Sequence, residues 1–187
     1  MAAELKSVSA LRFFLLATST LAVAAVVSLA LCQAFPPQRP GSASRFSSAF
    51  ILSTWLLMVG SGFLLRAIEA VRRERQIRFR RSLSWALATG ALFVSVQAYA
   101  LNYLIQSRTR DEASSAMASF VAVIAALHAM HFLIALLFLC YIIVQANADR
   151  YDHEYYWGVT IAAWFWHALG IVWIVILFVM AIARLYE

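Results

Sequence analysis

Three histidines lie in stretches of chain that carry no charged residue. His128 and His131 sit in AALHAMHFLIA (125–135), and His167 sits in AAWFWHALGIVW (162–173). Imidazole can titrate, ligate a metal or haem iron, or donate and accept hydrogen bonds. A spacing of three puts His128 and His131 on one helix face, one turn apart. Two chemistries fit. Imidazoles on facing helices can hold a haem iron, or they can hydrogen-bond across the helix interface. The residues around His167 favour the second. Ala163 and Gly170 share its face, and such small side chains let a second backbone come close, which leaves no slot for a porphyrin.

The same stretch carries Trp164, Trp166 and Trp173. Trp166 and Trp173 are seven residues apart and share a face, while Trp164 points elsewhere. Tryptophan normally stays at the membrane surface, and a buried indole N–H wants an acceptor. This run is therefore expected to face protein. Trp55, Trp85 and Trp157, with Tyr155 and Tyr156, fall near the ends of apolar runs, where interfacial anchoring explains them.

The elements that must carry these residues are legible from charge. The chain has 187 residues, 64% of them hydrophobic and 13% charged. That is more apolar surface than a soluble domain of this length can hide. Charges are absent from Phe13 to Gln38, Phe46 to Leu65, Ser82 to Ser107, Ala113 to Ala148 and Tyr155 to Ala183. Crossing about 30 Å of hydrocarbon takes roughly 20 apolar residues as a helix. Continuous apolar runs indicate helices and not the alternation of a barrel. The expected fold is all-α, a single membrane domain (1–187) of five transmembrane helices over 12–34, 47–68, 82–105, 117–145 and 156–183. The first run follows Lys6 and Arg12 but is longer than a signal-peptide core, so a retained helix is expected.

The segment RAIEAVRRERQIRFRR (66–81) holds seven arginines against Glu69 and Glu74. Short loops this basic stay in the cytoplasm. This sets the N-terminus in the cytoplasm and the C-terminus outside. PPQRPGSASR (36–45) and QSRTRDEASSA (106–116) then face outward and QANADRYDHEYY (145–156) inward. The net charge of +6 is thereby a topology signal and not a nucleic-acid patch, with acidic lipid headgroups as its natural counter-ions. His153 in the inward loop is expected to be solvated. Cys32 and Cys140 lie at different depths and are expected to be free thiols. Pro36, Pro37 and Pro40 break the chain after the first helix, and no later span contains proline.

Apart from Arg12 and Arg66 at span ends, the expected spans contain no Asp, Glu, Lys or Arg. A proton pump or ion-coupled transporter needs such a residue at depth. No phosphate-binding loop, carboxylate pair or cysteine cluster is present. His131 lies roughly 15 residues from the inner membrane surface and His167 roughly 11, a depth offset of about 6 Å. The three imidazoles can therefore share a layer where their helices face each other. A bis-histidine haem b electron carrier remains an alternative on these residues alone.

Several of these segments resemble one family. Ala162-Ala163-Trp164-Phe165-Trp166-His167, followed by Val172-Trp173, resembles the last-helix signature of subunit III of the haem–copper oxidases, typified by cytochrome c oxidase. His128-Ala129-Met130-His131 resembles its His-x-x-His pair. Gln97-Ala98-Tyr99 and Leu52-Ser53-Thr54 with Leu57 resemble segments of earlier helices. The helix count matches the five-helix form, which lacks two N-terminal helices of longer members.

The resemblance implies an accessory subunit without a redox centre in a bacterial terminal oxidase. Such a complex moves electrons from cytochrome c to oxygen and translocates protons. No catalytic residue, metal or cofactor is then expected in this chain; haem and copper belong to partner subunits. The implied partners are subunit I, other oxidase subunits, a larger respiratory supercomplex and membrane phospholipids. Gln97, His128, His131, Trp164, Trp166, His167 and Trp173 become candidates for contacts between helices or with subunit I. An accessory role beside a nitric oxide reductase is the alternative within the family. Where the family carries acids, this sequence has Thr18, Ala100 and Gly170, which speaks against direct proton handling.

Overall fold

The computed structural model describes the backbone of residues 2–35, 48–106 and 116–183, and the side chains of 8–35, 49–102 and 123–182. Five helices follow in order: α1 (Ala2–Ala34), α2 (Ser48–Arg72), α3 (Gln76–Gln106), α4 (Ala116–Asn147) and α5 (Trp157–Ala183). No strand occurs among the described residues. Each helix contains a stretch long and apolar enough to cross a membrane: Val8–Ala34, Ala49–Arg72, Gln76–Asn102, Val123–Asn147 and Trp157–Ile182. The shortest has 24 residues, about 36 Å of helix against roughly 30 Å of hydrocarbon. The chain is a multi-pass membrane protein. The proline break at 36–40, the Lys6 side chain and most of the 106–116 loop lie outside the described residues.

The arginine-rich segment, expected as a loop, is almost wholly helical. Only residues 73–75 turn between α2 and α3. The apolar residues inside the segment explain this. Ala67, Ala70, Val71 and Phe79 are buried, so one face of each helix keeps packing while the arginines face water. Their stems can lie along apolar surface with the guanidinium outside.

α3 is the central helix. It packs against α1, α2 and α4, while α5 closes against α2 and α4, and α1 lies outermost on α3 and α4. Just over half of the α3 span is buried, 56%, against 11% for α1. α3 can therefore carry Thr89 and Ser95 at buried positions, because each hydroxyl donates to its own helix, Thr89 to the Trp85 carbonyl (2.9 Å) and Ser95 to that of Ala91 (2.8 Å).

α2 and α4 end alike. The Arg75 N–H donates to the Ala70 carbonyl (2.9 Å) and the Glu74 N–H to that of Val71 (3.0 Å). After α4, the Arg150 N–H donates to Gln145 and the Asp149 N–H to Ala146, both at 3.2 Å. This is the Schellman cap, whose left-handed residue is usually glycine. Here Glu74 and Asp149 occupy it, each with φ 55°. Both acids are paired with a base from the other turn region. Glu74 Oε1 is 2.7 Å from His153 Nδ1, and Asp149 pairs with Arg80. The Gln76 amide also donates to the Tyr151 carbonyl (2.9 Å) and Arg72 Nε to the Tyr156 hydroxyl (3.0 Å). The two turns are thus tied together at the arginine-rich end. His153 is exposed but not merely solvated, since it holds Glu74.

Candidate functional site on the last two helices

Trp166 and Trp173 are the largest fully buried side chains among the described residues, and Trp166 fills a slot made by missing side chains. A Cβ on Gly60 of α2 would lie 2.8 Å from the indole, and one on Gly90 of α3 would lie 2.7 Å from it. Phe132 of α4 packs at 4.8 Å between ring centroids. The indole N–H reaches the Leu57 carbonyl of α2 at 3.4 Å. One side chain from α5 therefore touches three other helices.

Trp173 lies two turns further along the same face and is equally buried. Its N–H donates to the Thr54 hydroxyl at 3.2 Å. Its ring meets Phe50 at 6.0 Å, Phe93 edge-on at 6.2 Å and His128 nearly parallel at 5.6 Å. Trp164 lies on the opposite side of α5 and is 66% exposed.

The three histidines do not form one cluster. His128 is buried against Trp173, and neither ring nitrogen has a hydrogen-bond partner among the described residues. His131 is exposed and donates from Nδ1 to the Leu127 carbonyl of its own helix at 2.7 Å. A spacing of three rotates a helical position by about 60° from the first, and the edge of the packed face falls inside that angle. The shared face expected for the pair is thus split, with one imidazole inside and one outside.

His167 is half-buried, and its Nε2 is buried without a partner among the described residues. Its flank of α5 is the one that bears Gly170, where a Cβ would come 3.2 Å from Leu57 of α2. The expected hydrogen bonding among the three imidazoles is not seen among the described residues: both ring nitrogens of His128 and the Nε2 of His167 have no partner there. Gln97 on α3 is half-buried, has no partner for Oε1 and makes no hydrogen bond to any of the histidines among the described residues.

Gly60, Gly90, Phe93 and Phe132 complete this packing and were not singled out from the sequence. The two glycines were the available signal, since a glycine inside an apolar span marks close approach. Cys32 and Cys140 are free. No group of three or more His, Cys, Asp or Glu side chains gathers to hold a metal ion among the described residues.

A family model described as cytochrome c oxidase subunit III matches residues 8–183. The chain belongs to the cytochrome c oxidase subunit III family. A protein of Ornithorhynchus anatinus named cytochrome c oxidase subunit 3 is 24% identical over 124 residues, 66% of this chain and 46% of that one. One of the same name from Spodoptera frugiperda is 23% identical over 124 residues, 66% of this chain and 82% of that one. The match thus spans about half the length of the first relative.

Within this subunit III chain, the three positions at which the resemblance places acids in other members have distinct surroundings. Thr18 is exposed and donates to the Phe14 carbonyl at 2.8 Å. Ala100 is fully buried. A Cβ on Gly170 would come 3.2 Å from the Leu57 side chain of α2, so a larger residue there needs that leucine to shift.

Proposed function

We propose that this chain is the accessory subunit III of a bacterial haem–copper terminal oxidase. Its N-terminus lies in the cytoplasm and its C-terminus outside the cytoplasmic membrane. Partner subunits would hold haem and copper, pass electrons from cytochrome c to oxygen and translocate protons. This chain would pack against the catalytic subunit I and sustain it, without a catalytic group of its own.

The observation that carries this reading beyond family membership is a pair of polar edges turned outward at membrane depth. The Trp164 side chain is exposed, and its indole N–H has no hydrogen-bond partner among the described residues. It lies seven residues into α5, about 10 Å along the helix. The Nε2 edge of His131 is likewise on an exposed side chain, well inside α4. Hydrocarbon satisfies neither group, so a second protein surface is the fitting neighbour. On this reading Trp164 and His131 contact subunit I. Trp166, Trp173 and His128 shape the helices that present them, and His167 and Gln97 complete the interface between helices.

Purification from its native membrane in a gentle detergent tests the proposal. The chain should bring with it a subunit containing haem and copper, and the chain isolated from that partner should give no stoichiometric haem signal as a pyridine haemochrome. Stoichiometric haem in the isolated chain would overturn the accessory reading in favour of an electron carrier. Co-purification with a nitric oxide reductase would reassign the complex.

A further inference from the structure

The α2–α3 hairpin contains a cavity of about 390 Å³ that the packing of the last helices does not use. Two stripes at helical spacing line it. On α2 and the turn after it the stripe runs Phe63, Arg66, Glu69, Arg73; on α3 and its approach it runs Arg75, Arg78, Arg81, Trp85. Residues three and four apart stack on one face, so each helix turns a continuous edge into the same groove.

The groove changes character along its length. At the turn it is cationic. Five arginines line it against one glutamate, and Glu69 is already paired with Arg73 at 2.9 Å. Arg66, Arg75, Arg78 and Arg81 have no carboxylate partner among the described residues. At the other end it is aromatic. Phe63 and Trp85 stack at 6.1 Å with their planes 19° apart, and the Arg66 guanidinium lies 5.7 Å from the Phe63 ring. Arg66 and Arg81 sit where the apolar spans give way to charge, with the aromatic pair on the membrane side and the turn on the water side. Trp85 remains half exposed, so the groove opens sideways toward lipid.

We propose that this groove binds the phosphate-bearing headgroup of an anionic phospholipid, with Arg66, Arg78 and Arg81 on the phosphate and the Phe63–Trp85 pair against the upper acyl chain. The proposal rests on the membrane topology above and not on the identity of the catalytic partner. The chemistry is specific in two respects. Arginine matches phosphate oxygens with a planar fork of donors. An unneutralised group of guanidinium ions at the membrane boundary favours a headgroup with net negative charge over a zwitterionic one. A free phosphate shares the first recognition element but gains nothing from the aromatic end.

The test uses the full chain in detergent micelles and follows tryptophan fluorescence as lipid is added. Phosphatidylglycerol with brominated acyl chains should quench at about tenfold lower mole fraction than brominated phosphatidylcholine. Trp85→Phe should remove the component quenched first. The double variant Arg66→Gln/Arg81→Gln should lose the preference, and Arg66→Lys/Arg81→Lys should keep most of it, which separates lost charge from lost fold. Native mass spectrometry of the unaltered chain gives a second reading, in which phosphatidylglycerol adducts should outlast phosphatidylcholine adducts. Equal quenching by the two lipids, or a preference retained by the glutamine variant, overturns the proposal. Abolition of the preference by millimolar inorganic phosphate also overturns it, in favour of a soluble anion. Co-purification with a catalytic subunit is unaffected by any of these results, so the two proposals fail separately.

Discussion

The imidazole of His128 lies almost flat against the indole of Trp173, with centroids 5.6 Å apart and planes 18° from parallel. This contact joins α4 to α5 through ring faces, while both histidine nitrogens remain without partners among the described residues. A histidine that contributes its face and not its nitrogens acts as an aromatic spacer. Offset ring pairs of this kind add about 0.5–1.5 kcal/mol beyond the area they bury.

His128→Phe should therefore be well tolerated, within about 1 kcal/mol of the parent, because it keeps the stack and removes two unsatisfied polar atoms. His128→Ala should cost about 2–4 kcal/mol by leaving a cavity beside Trp173. Unfolding of the purified chain by increasing mole fractions of denaturing detergent ranks the three. A phenylalanine variant as unstable as the alanine one would mean that the nitrogens have partners after all.

The glycines should divide by what faces them. Gly90→Ala puts a methyl 2.7 Å from the Trp166 ring and 2.9 Å from Leu136, and Gly60→Ala puts one 2.8 Å from the same indole. Both should destabilise by about 1–3 kcal/mol through overpacking. Gly62 meets nothing within 4 Å, and Gly62→Ala should be neutral or stabilise by up to about 1 kcal/mol through helix propensity. Replacing Trp166 with leucine should relieve much of the Gly90→Ala penalty, and a double-mutant cycle measures that coupling.

The two caps make an opposite forecast for an acidic residue. A non-glycine residue in the left-handed region costs about 1–2 kcal/mol, whereas an exposed ion pair is worth about 0–1 kcal/mol. Glu74→Gly and Asp149→Gly lose the contacts to His153 and Arg80 but remove the backbone strain. Each should leave thermal stability unchanged or slightly raised. Glu74→Val, which brings a β-branched side chain to φ 55°, should lower it clearly. A marked loss with glycine would show that the pairs between the turns outweigh the backbone cost.

Tyr151, in the turn between α4 and α5, has its hydroxyl pushed above the ordinary tyrosine value near 10 by burial and, secondarily, by the neighbouring Tyr141. A raised folded-state value means that the folded chain holds the proton more tightly than the unfolded one. The corresponding stability is complete below about pH 10 and is lost as pH rises through the folded value. Tyr151→Phe should remove that part of the alkaline loss. Thermal melts of both chains between pH 8 and 11, with about ten as the point of divergence, check the sign. Divergence already at neutral pH would refute the assignment.

The helices were readable because hydrocarbon thickness and charge exclusion act on composition, and five uncharged runs leave few alternatives. The continuation of α2 and α3 through the arginines was harder to see. Buried Val71 and Phe79 hold the helical register there, but that signal is diluted by the charged residues around them. The shared face of Trp166 and Trp173 followed from their seven-residue spacing, and their contact with protein from the need of a buried indole N–H for an acceptor. The separation of His128 from His131 did not, because a 60° rotation matters only once the edge of the packed face is known. Nor could the sequence show which flank of α5 meets α2. That depends on the approach of Leu57 to Gly170, a long-range relationship that no local pattern encodes.

Trp166 also says something about biosynthesis. The slot between Gly60, Gly90 and Phe132 is formed by helices made earlier, yet its occupant comes from α5, which is made after all of them. Until α5 enters the bilayer, α2, α3 and α4 lack the side chain around which they close. α5 thereby locks the three earlier helices together, and a chain cut short before residue 166 would present membrane quality control with a vacant groove between them.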